Sequence, residues 1–188
     1  DRLSAAGHRV ITVDLADADV VGDLSTPDGR ATAAADVLDR CGGTLDGAVM
    51  AAGIGPVPGR DMSRRILEVN YFGVVDLLEP WRPALAAAGS SKVVVIASNS
   101  PTVTPAIPGK AVKALLSGDA ARAVGVLKRF GGRAPVFAYA ASKLAVSRWV
   151  RRQAVTPDWA GAGIRLNAIA PGAVLTPLLE AQLADPQQ

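Results

Sequence analysis

Short apolar runs alternate along the chain with longer stretches in which apolar residues recur every three to four positions. Lys92-Val93-Val94-Val95-Ile96-Ala97 is the plainest run. It is short, unbroken and β-branched, which predicts a buried strand of a parallel sheet. Arg9–Val13, Val20–Val21, Leu45–Met50 and Ile164–Ala170 predict further strands. Asp1 to Ala6 reads as the end of a helix with Gly7 as its cap. Pro27–Cys41 has Thr26 before it and Gly42-Gly43 after it, a helix start and stop. A long helical segment runs from Met62 to about Ala88, and Pro80 and Pro83 are expected to kink or break it. Another helix carries Tyr139 to Arg152, and Ala160-Gly161-Ala162-Gly163 predicts a turn. Strands alternating with helices point to an α/β fold with a parallel sheet.

Composition narrows the class. The 188 residues suffice for one domain, and 49% hydrophobic with 20% charged residues is globular rather than disordered. No stretch of eighteen apolar residues predicts a membrane span, and no basic start with an apolar core and cleavage site occurs. A cytoplasmic protein is the expectation. The single cysteine, Cys41, excludes an internal disulfide, and the single histidine, His8, is no evident partner for a catalytic thiol. Both read as structural. No His, Cys and carboxylate cluster has metal-ligand spacing. The formal charge is +3. Arg148, Arg151 and Arg152 gather on one predicted helix without interleaved aromatics, so a solvated face is expected rather than a nucleic-acid patch.

The chemistry centres on Tyr139-Ala140-Ala141-Ser142-Lys143. Residues four apart share a helix face. An ammonium near a phenol favours the phenolate, which makes the pair a proton donor and acceptor suited to alcohol–ketone interconversion. Upstream, the run at 92–97 ends in Ser98-Asn99-Ser100, so a hydroxyl stands at the carboxyl end of a strand, where open α/β sheets bind ligands. Downstream, the strand at 164–170 runs into Pro171-Gly172-Ala173-Val174-Leu175-Thr176-Pro177.

This order resembles the short-chain dehydrogenase/reductase family across most of the chain. The resemblance implies a doubly wound, Rossmann-like parallel α/β sheet forming a single domain over residues 1–188. It also implies NAD(H)-dependent oxidoreduction of a small apolar ketone or alcohol by a homo-oligomer, dimer or tetramer, without nucleic-acid or membrane partners. Tyr139 would exchange the proton and Ser98 would hydrogen-bond the substrate oxygen. Lys143 would assist Tyr139 and bind ribose hydroxyls. Asn70, in Val69-Asn70-Tyr71-Phe72-Gly73, would hold its helix open and support a water that links Lys143 to solvent. Asp14 reads either as the acceptor of adenosine ribose hydroxyls, which would repel a 2′-phosphate, or as a turn residue. Asp23-Leu24 would meet the adenine or merely end a strand. Ala51-Ala52-Gly53 would let the backbone approach a ribose. The usual family form there is Asn-Asn-Ala-Gly, with Met50 and Ala51 in the asparagine positions here. Pro171 and Gly172 would turn the chain over the nicotinamide, with Val174 beside it. Thr176 would donate to a phosphate or carboxamide oxygen while capping a helix over Pro177–Ala184. No Thr-Gly-x-x-x-Gly-x-Gly turn occurs in the sequence. The expectation is truncation at both ends, with the first strand and its turn, and the last strand, missing.

Ser98 and Tyr139 stand 41 residues apart, where the family pattern uses roughly a dozen. The insert, about 101–135, has its own periodicity. Val112, Leu115 and Leu116 predict one short helix, then Ser117-Gly118 intervenes. Ala120, Ala123, Val124 and Leu127 predict a second, with Arg122 and Lys128 off its stripe. A lid over an apolar pocket, a block against one subunit interface and a packed surface excursion all fit. The thin alanine stripe predicts loose docking. The insert, Ala52-Gly53-Ile54-Gly55-Pro56 and Val69–Gly73 resemble the 3α-hydroxysteroid dehydrogenase/carbonyl reductase branch, whose substrates include hydroxysteroids and bulky carbonyls. The alternative function is a catalytically silent nucleotide sensor or scaffold on the same fold. Intact Ser98, Tyr139, Lys143 and Asn70 favour the enzyme.

Overall fold

A computed structural model describes residues 2–172 of the chain. Every strand pairing among the described residues is parallel. β1 (Val13–Asp14) pairs with β2 (Val20–Val21), and β3 (Gly47–Met50), β4 (Lys92–Ile96) and β5 (Arg165–Ile169) form a second sheet in the order β3-β4-β5. β4 is bonded on both sides, with Val93 opposite Ala48 and Leu166, and Val95 opposite Met50 and Ala168. Val93 and Val95 are fully buried, so each contributes on the order of 2 kcal/mol by leaving water. The helices are α1 (Arg2–Ala5), α2 (Pro27–Cys41), α3 (Met62–Leu67), α4 (Gly73–Ala87), α5 (Ser100–Val103), α6 (Gly109–Leu116), α7 (Ala120–Leu127) and α8 (Ala134–Gln153). No helix among the described residues is long and apolar enough to cross a membrane.

The start of α2 follows its sequence signals. Thr26 is extended, its Oγ1 accepts the Gly29 N–H at 3.1 Å, and Pro27 needs no donor partner in the first turn. Gly42 closes the helix at φ 66°, a left-handed conformation that glycine adopts without strain. Ala33, Ala34 and Val37 bury the inner face, and the Trp81 indole Nε1–H of α4 donates to the Ala34 carbonyl at 3.1 Å. This bond and the packing around it join α2 to α4.

Three sequence expectations are corrected. Pro80 and Pro83 do not break the helix: α4 runs continuously through both. Both lie on its exposed side, so the carbonyls they leave unbonded need no protein partner. The irregularity comes earlier, at Glu68–Phe72, where one π-helical turn joins α3 to α4. Next, strand pairing at the first run covers only Val13 and Asp14, not Arg9–Val13. Among the described residues β1 has a ladder neighbour on one side alone, and the Thr12 amide and hydroxyl both bond the Asp19 carboxylate instead of extending the ladder. Finally, the insert is not loosely docked. Ala111, Val112, Leu115, Ala123 and Leu127 are fully buried and belong to the main core. The alanines let α6 and α7 approach their neighbours closely, and Leu115 and Leu127 supply the apolar area.

α8 packs against α3, α5, α6, α7, β5 and the π-helical turn. Ala138, Ala140, Ala141, Ser142 and Ala145 are all fully buried. Small side chains on more than one face allow packing against several elements at once. Arg148, Arg151 and Arg152 are exposed, the solvated face expected for them.

Candidate active site

Five of the sequence-nominated sites share one topological position. Asp14 ends β1, Asp23-Leu24 follow β2, Ala51-Ala52-Gly53 follow β3, Ser98 follows β4, and Pro171-Gly172 follow β5. Within each of the two sheets the strands run parallel, so these groups stand at strand carboxyl ends, the position at which open α/β sheets take ligands.

Lys143 is the hub. Its side chain is buried at 6% exposure, and Nζ donates to the Ile96 carbonyl at 2.7 Å. It lies 5.9 Å from the Tyr139 ring centroid, one turn back along α8. A β-carbon added at Gly53 would lie 3.7 Å from Lys143 Nζ and 3.4 Å from Asn70 Oδ1. Lysine, asparagine and glycine therefore border one small space. Burial pulls the Lys143 ammonium down from 10.5 to about 8. Its bonded partner is a carbonyl, and no carboxylate pairs with it among the described residues to offset desolvation.

Asn70 is 1% exposed and sits in the π-helical turn. Oδ1 accepts the Ile54 N–H at 2.7 Å, and Nδ2 donates to the Ile54 carbonyl at 3.0 Å. One amide side chain thus clamps both backbone groups of the residue after Gly53. The turn inserts its extra residue where this clamp forms, a recurrent place for π-turns at functional sites.

Ser98 Oγ accepts the Ser100 N–H at 3.0 Å, which leaves its own proton for an acceptor. No hydrogen bond joins the Ser98 and Tyr139 hydroxyls among the described residues. The loop after β4 is tied to the loop after β5: the Asn99 N–H donates to the Pro171 carbonyl at 2.9 Å, and a β-carbon at Gly172 would lie 3.5 Å from Asn99 Nδ2. Val174, Thr176 and the helix expected over Pro177–Ala184 lie outside the described residues.

Asp14 is exposed, and Oδ1 accepts the Leu15 N–H at 2.7 Å. Asp23 is also exposed. Hydrogen bonds from Ser25, with the Arg65 guanidinium adding to them, hold its carboxyl below the usual carboxylate range. Leu24 is buried against Gly73, whose added β-carbon would lie 3.5 Å from the Leu24 Cβ. No group of three or more His, Cys, Asp or Glu among the described residues could hold a metal.

The site uses groups that side-chain patterns do not reveal. The Ile96 carbonyl and the Ile54 backbone are two, and no sequence signal marks them. Arg30 is a third. It is 4% exposed, bonded to Leu24, Glu68 and Asp76. A signal did exist: Arg30 precedes Ala33, Ala34 and Val37 at the spacing of one buried helical stripe, so a charge stands in an apolar position.

An open groove lies between the start of α3 and the end of the insert, lined by Pro58, Met62, Val124, Lys128 and Pro135 among others. Pro135 is one turn of α8 before Tyr139.

A family model described as short chain dehydrogenase matches residues 109–187. The 3-alpha-hydroxysteroid dehydrogenase/carbonyl reductase of Comamonas testosteroni is 40% identical over 185 residues, covering 98% of this chain and 70% of that protein. The cis-4-hydroxycyclohexanecarboxylate dehydrogenase of Sinomonas cyclohexanicum is 31% identical, covering 97% of this chain and 61% of its own length. The crystal structure of the 3-alpha-hydroxysteroid dehydrogenase from Pseudomonas sp. B-0831 complexed with NADH superimposes with a TM-score of 0.88 at 46% identity, covering 99% of this chain and 71% of that one.

Proposed function

The chain belongs to the short-chain dehydrogenase/reductase family, and from that premise we propose that it interconverts a secondary alcohol and a ketone with NAD(H), on a hydroxysteroid or another bulky apolar carbonyl compound. The observation that carries this reading is the convergence of Lys143, Asn70 and Gly53 beside the Tyr139 ring at the carboxyl ends of the strands.

Tyr139 donates its phenolic proton to the carbonyl oxygen in reduction and takes it back in oxidation. Ser98, with its Oγ lone pair bonded to the Ser100 amide, donates to the same oxygen and stabilises the charge that develops there. Lys143 keeps a positive charge beside Tyr139, and Asn70 fixes the backbone that borders that charge. The space beside Gly53 suits a ribose: with no side chain on Gly53, the Lys143 ammonium and the Asn70 amide border it within reach of a hydroxyl. Lys143 and Asp14 would hold the two ribose units. Asp23 and Leu24 would flank the adenine, Ala51, Ala52 and Gly53 the near ribose, and Pro171, Gly172, Val174 and Thr176 the nicotinamide end. When bound, the nicotinamide cofactor supplies or takes the hydride. NADH is favoured over NADPH because a carboxylate at Asp14 would repel a 2′-phosphate. The NADH complex of the Pseudomonas sp. B-0831 structure supports that choice. Val124 of α7, with Pro135 one turn of α8 before Tyr139, supplies an apolar wall for the substrate. The reading includes a cytoplasmic homo-oligomer, measurable by sedimentation.

Tyr139→Phe tests the proposal. It keeps the ring and deletes the proton-exchanging group, so ketone reduction should slow by at least ~10²-fold. NADH binding, followed by fluorescence titration, should change little because Lys143 stays in place. Near-normal turnover in this variant would remove Tyr139 from the chemistry. The wild-type assay repeated with NADPH tests Asp14, and a preference for NADPH would remove its ribose role.

A further inference from the structure

Arg30 occupies a place that simple packing would give to an aliphatic residue. It lies on the buried stripe of α2, in the second turn, near the positive end of the helix dipole. Two of its guanidinium nitrogens, Nη1 and Nε, have polar partners. Nη1 donates to the Leu24 carbonyl at 3.0 Å and lies 3.0 Å from Glu68 Oε2. Nε donates to Asp76 Oδ2 at 2.8 Å, and the group stacks 5.6 Å from the Phe72 ring centroid. Glu68 is also 3.7 Å from Arg64, so its charge is shared between two cations.

Stability alone is a poor explanation. Burying such a network is costly, and apolar replacements of similar volume often leave a protein as stable or more so. What the network does is geometric. Nη1 meets both the backbone at Leu24, just past the carboxyl end of β2, and Glu68, the first residue of the π-helical turn that carries Asn70, while Nε grips Asp76 in α4. Two smaller features hold the same loop. A side chain at Gly29 would collide with the Asp23 carbonyl oxygen, and Leu24 packs on Gly73.

We propose that Arg30 is a positioning residue for the cofactor: through Leu24, Glu68 and Asp76 it fixes the Asp23-Leu24 wall against the helix bearing Asn70, and so sets affinity for the adenosine half of the dinucleotide. This rests on the cofactor reading above. Arg30 itself touches no ligand in this scheme. A guanidinium suits the task because its planar fork reaches a carbonyl and two carboxylates together, which a lysine ammonium does with less directional control.

The test separates the two halves of the cofactor. Binding of NADH, AMP and reduced nicotinamide mononucleotide is measured by calorimetry for the wild type, Arg30→Met and Arg30→Lys, with thermal melts alongside. Losing the hydrogen bonds of a charged donor should weaken AMP and NADH about tenfold in Arg30→Met. Mononucleotide affinity should stay within about twofold, a change well under 1 kcal/mol. Arg30→Lys should recover part of the AMP affinity. If Arg30→Met is folded and binds AMP as the wild type does, the proposal is wrong and the network is structural only. Equal losses for AMP and the mononucleotide would also overturn it, since they indicate general loosening. A wild type that binds none of the three removes the cofactor reading, and this proposal with it. Should Arg30→Met melt below the assay temperature, Asp76→Asn decides: it keeps shape at the half-exposed end, and unchanged AMP binding there overturns the proposal while selective weakening supports it.

Discussion

Lys143 has its ammonium against the Ile96 carbonyl and almost no water around it. An unfolded chain holds that proton up to about 10.5, whereas the folded protein releases it at about 8. Between those values the unfolded state binds more protons, so raising the pH through the window favours folding. The gain is lost as the pH falls back through about 8. Lys143→Met removes the titration. The difference in unfolding free energy between wild type and Lys143→Met should therefore move toward the wild type across this window, by on the order of 3 kcal/mol. Urea titrations on either side of the window measure it, and a pH-independent difference would mean that the ammonium is well solvated. At this scale the sequence was informative about residue type and silent about partners. Tyr139, Lys143, Ser98 and Asn70 stand out because their spacing and order are chemically suggestive. The bonds that orient two of them run to the Ile96 and Ile54 backbones, and any residue could have supplied those groups.

Elements with strong local signals were legible. Thr26, Pro27 and Gly42 bound α2 through interactions within a turn of each end, so its limits were readable without tertiary information. The π-helical turn at Glu68–Phe72 was not, since its extra residue is held by Asn70 bonding a loop sixteen positions away. The docking of the insert was misjudged for a related reason. An alanine stripe looks weak when only side-chain area is counted, yet small residues bring α6 and α7 close enough to bury Leu115 and Leu127 fully. Leu115→Ala should accordingly cost about 2–5 kcal/mol in urea unfolding, as truncations of buried leucines do. Leu116→Ala, at a partly exposed position, should cost clearly less. Similar small effects at both would restore a loosely held insert. A polar replacement at Leu115 would report on folding before it reported on substrate size.

Across the whole molecule, the parallel α/β class was legible because each buried run is short and each intervening segment helical. The division into a two-stranded and a three-stranded sheet was not, because run lengths carry no pairing information. That division has a consequence for how the protein opens. β4 shares backbone bonds with neighbours on both sides, whereas among the described residues β3 pairs with β4 alone. Along a parallel strand, successive amides alternate between the two sides. In deuterated water the amides of β4 should be the last in the three-stranded sheet to exchange, nearing the rate set by global unfolding. Those of β3 should divide into a slow set facing β4 and a fast set facing outward, within four consecutive residues. Residue-resolved exchange by NMR would show the alternation directly. Uniform slow exchange along Gly47–Met50 would mean that another strand covers this edge in solution, and the same outward amides would then identify the strip of backbone it occupies.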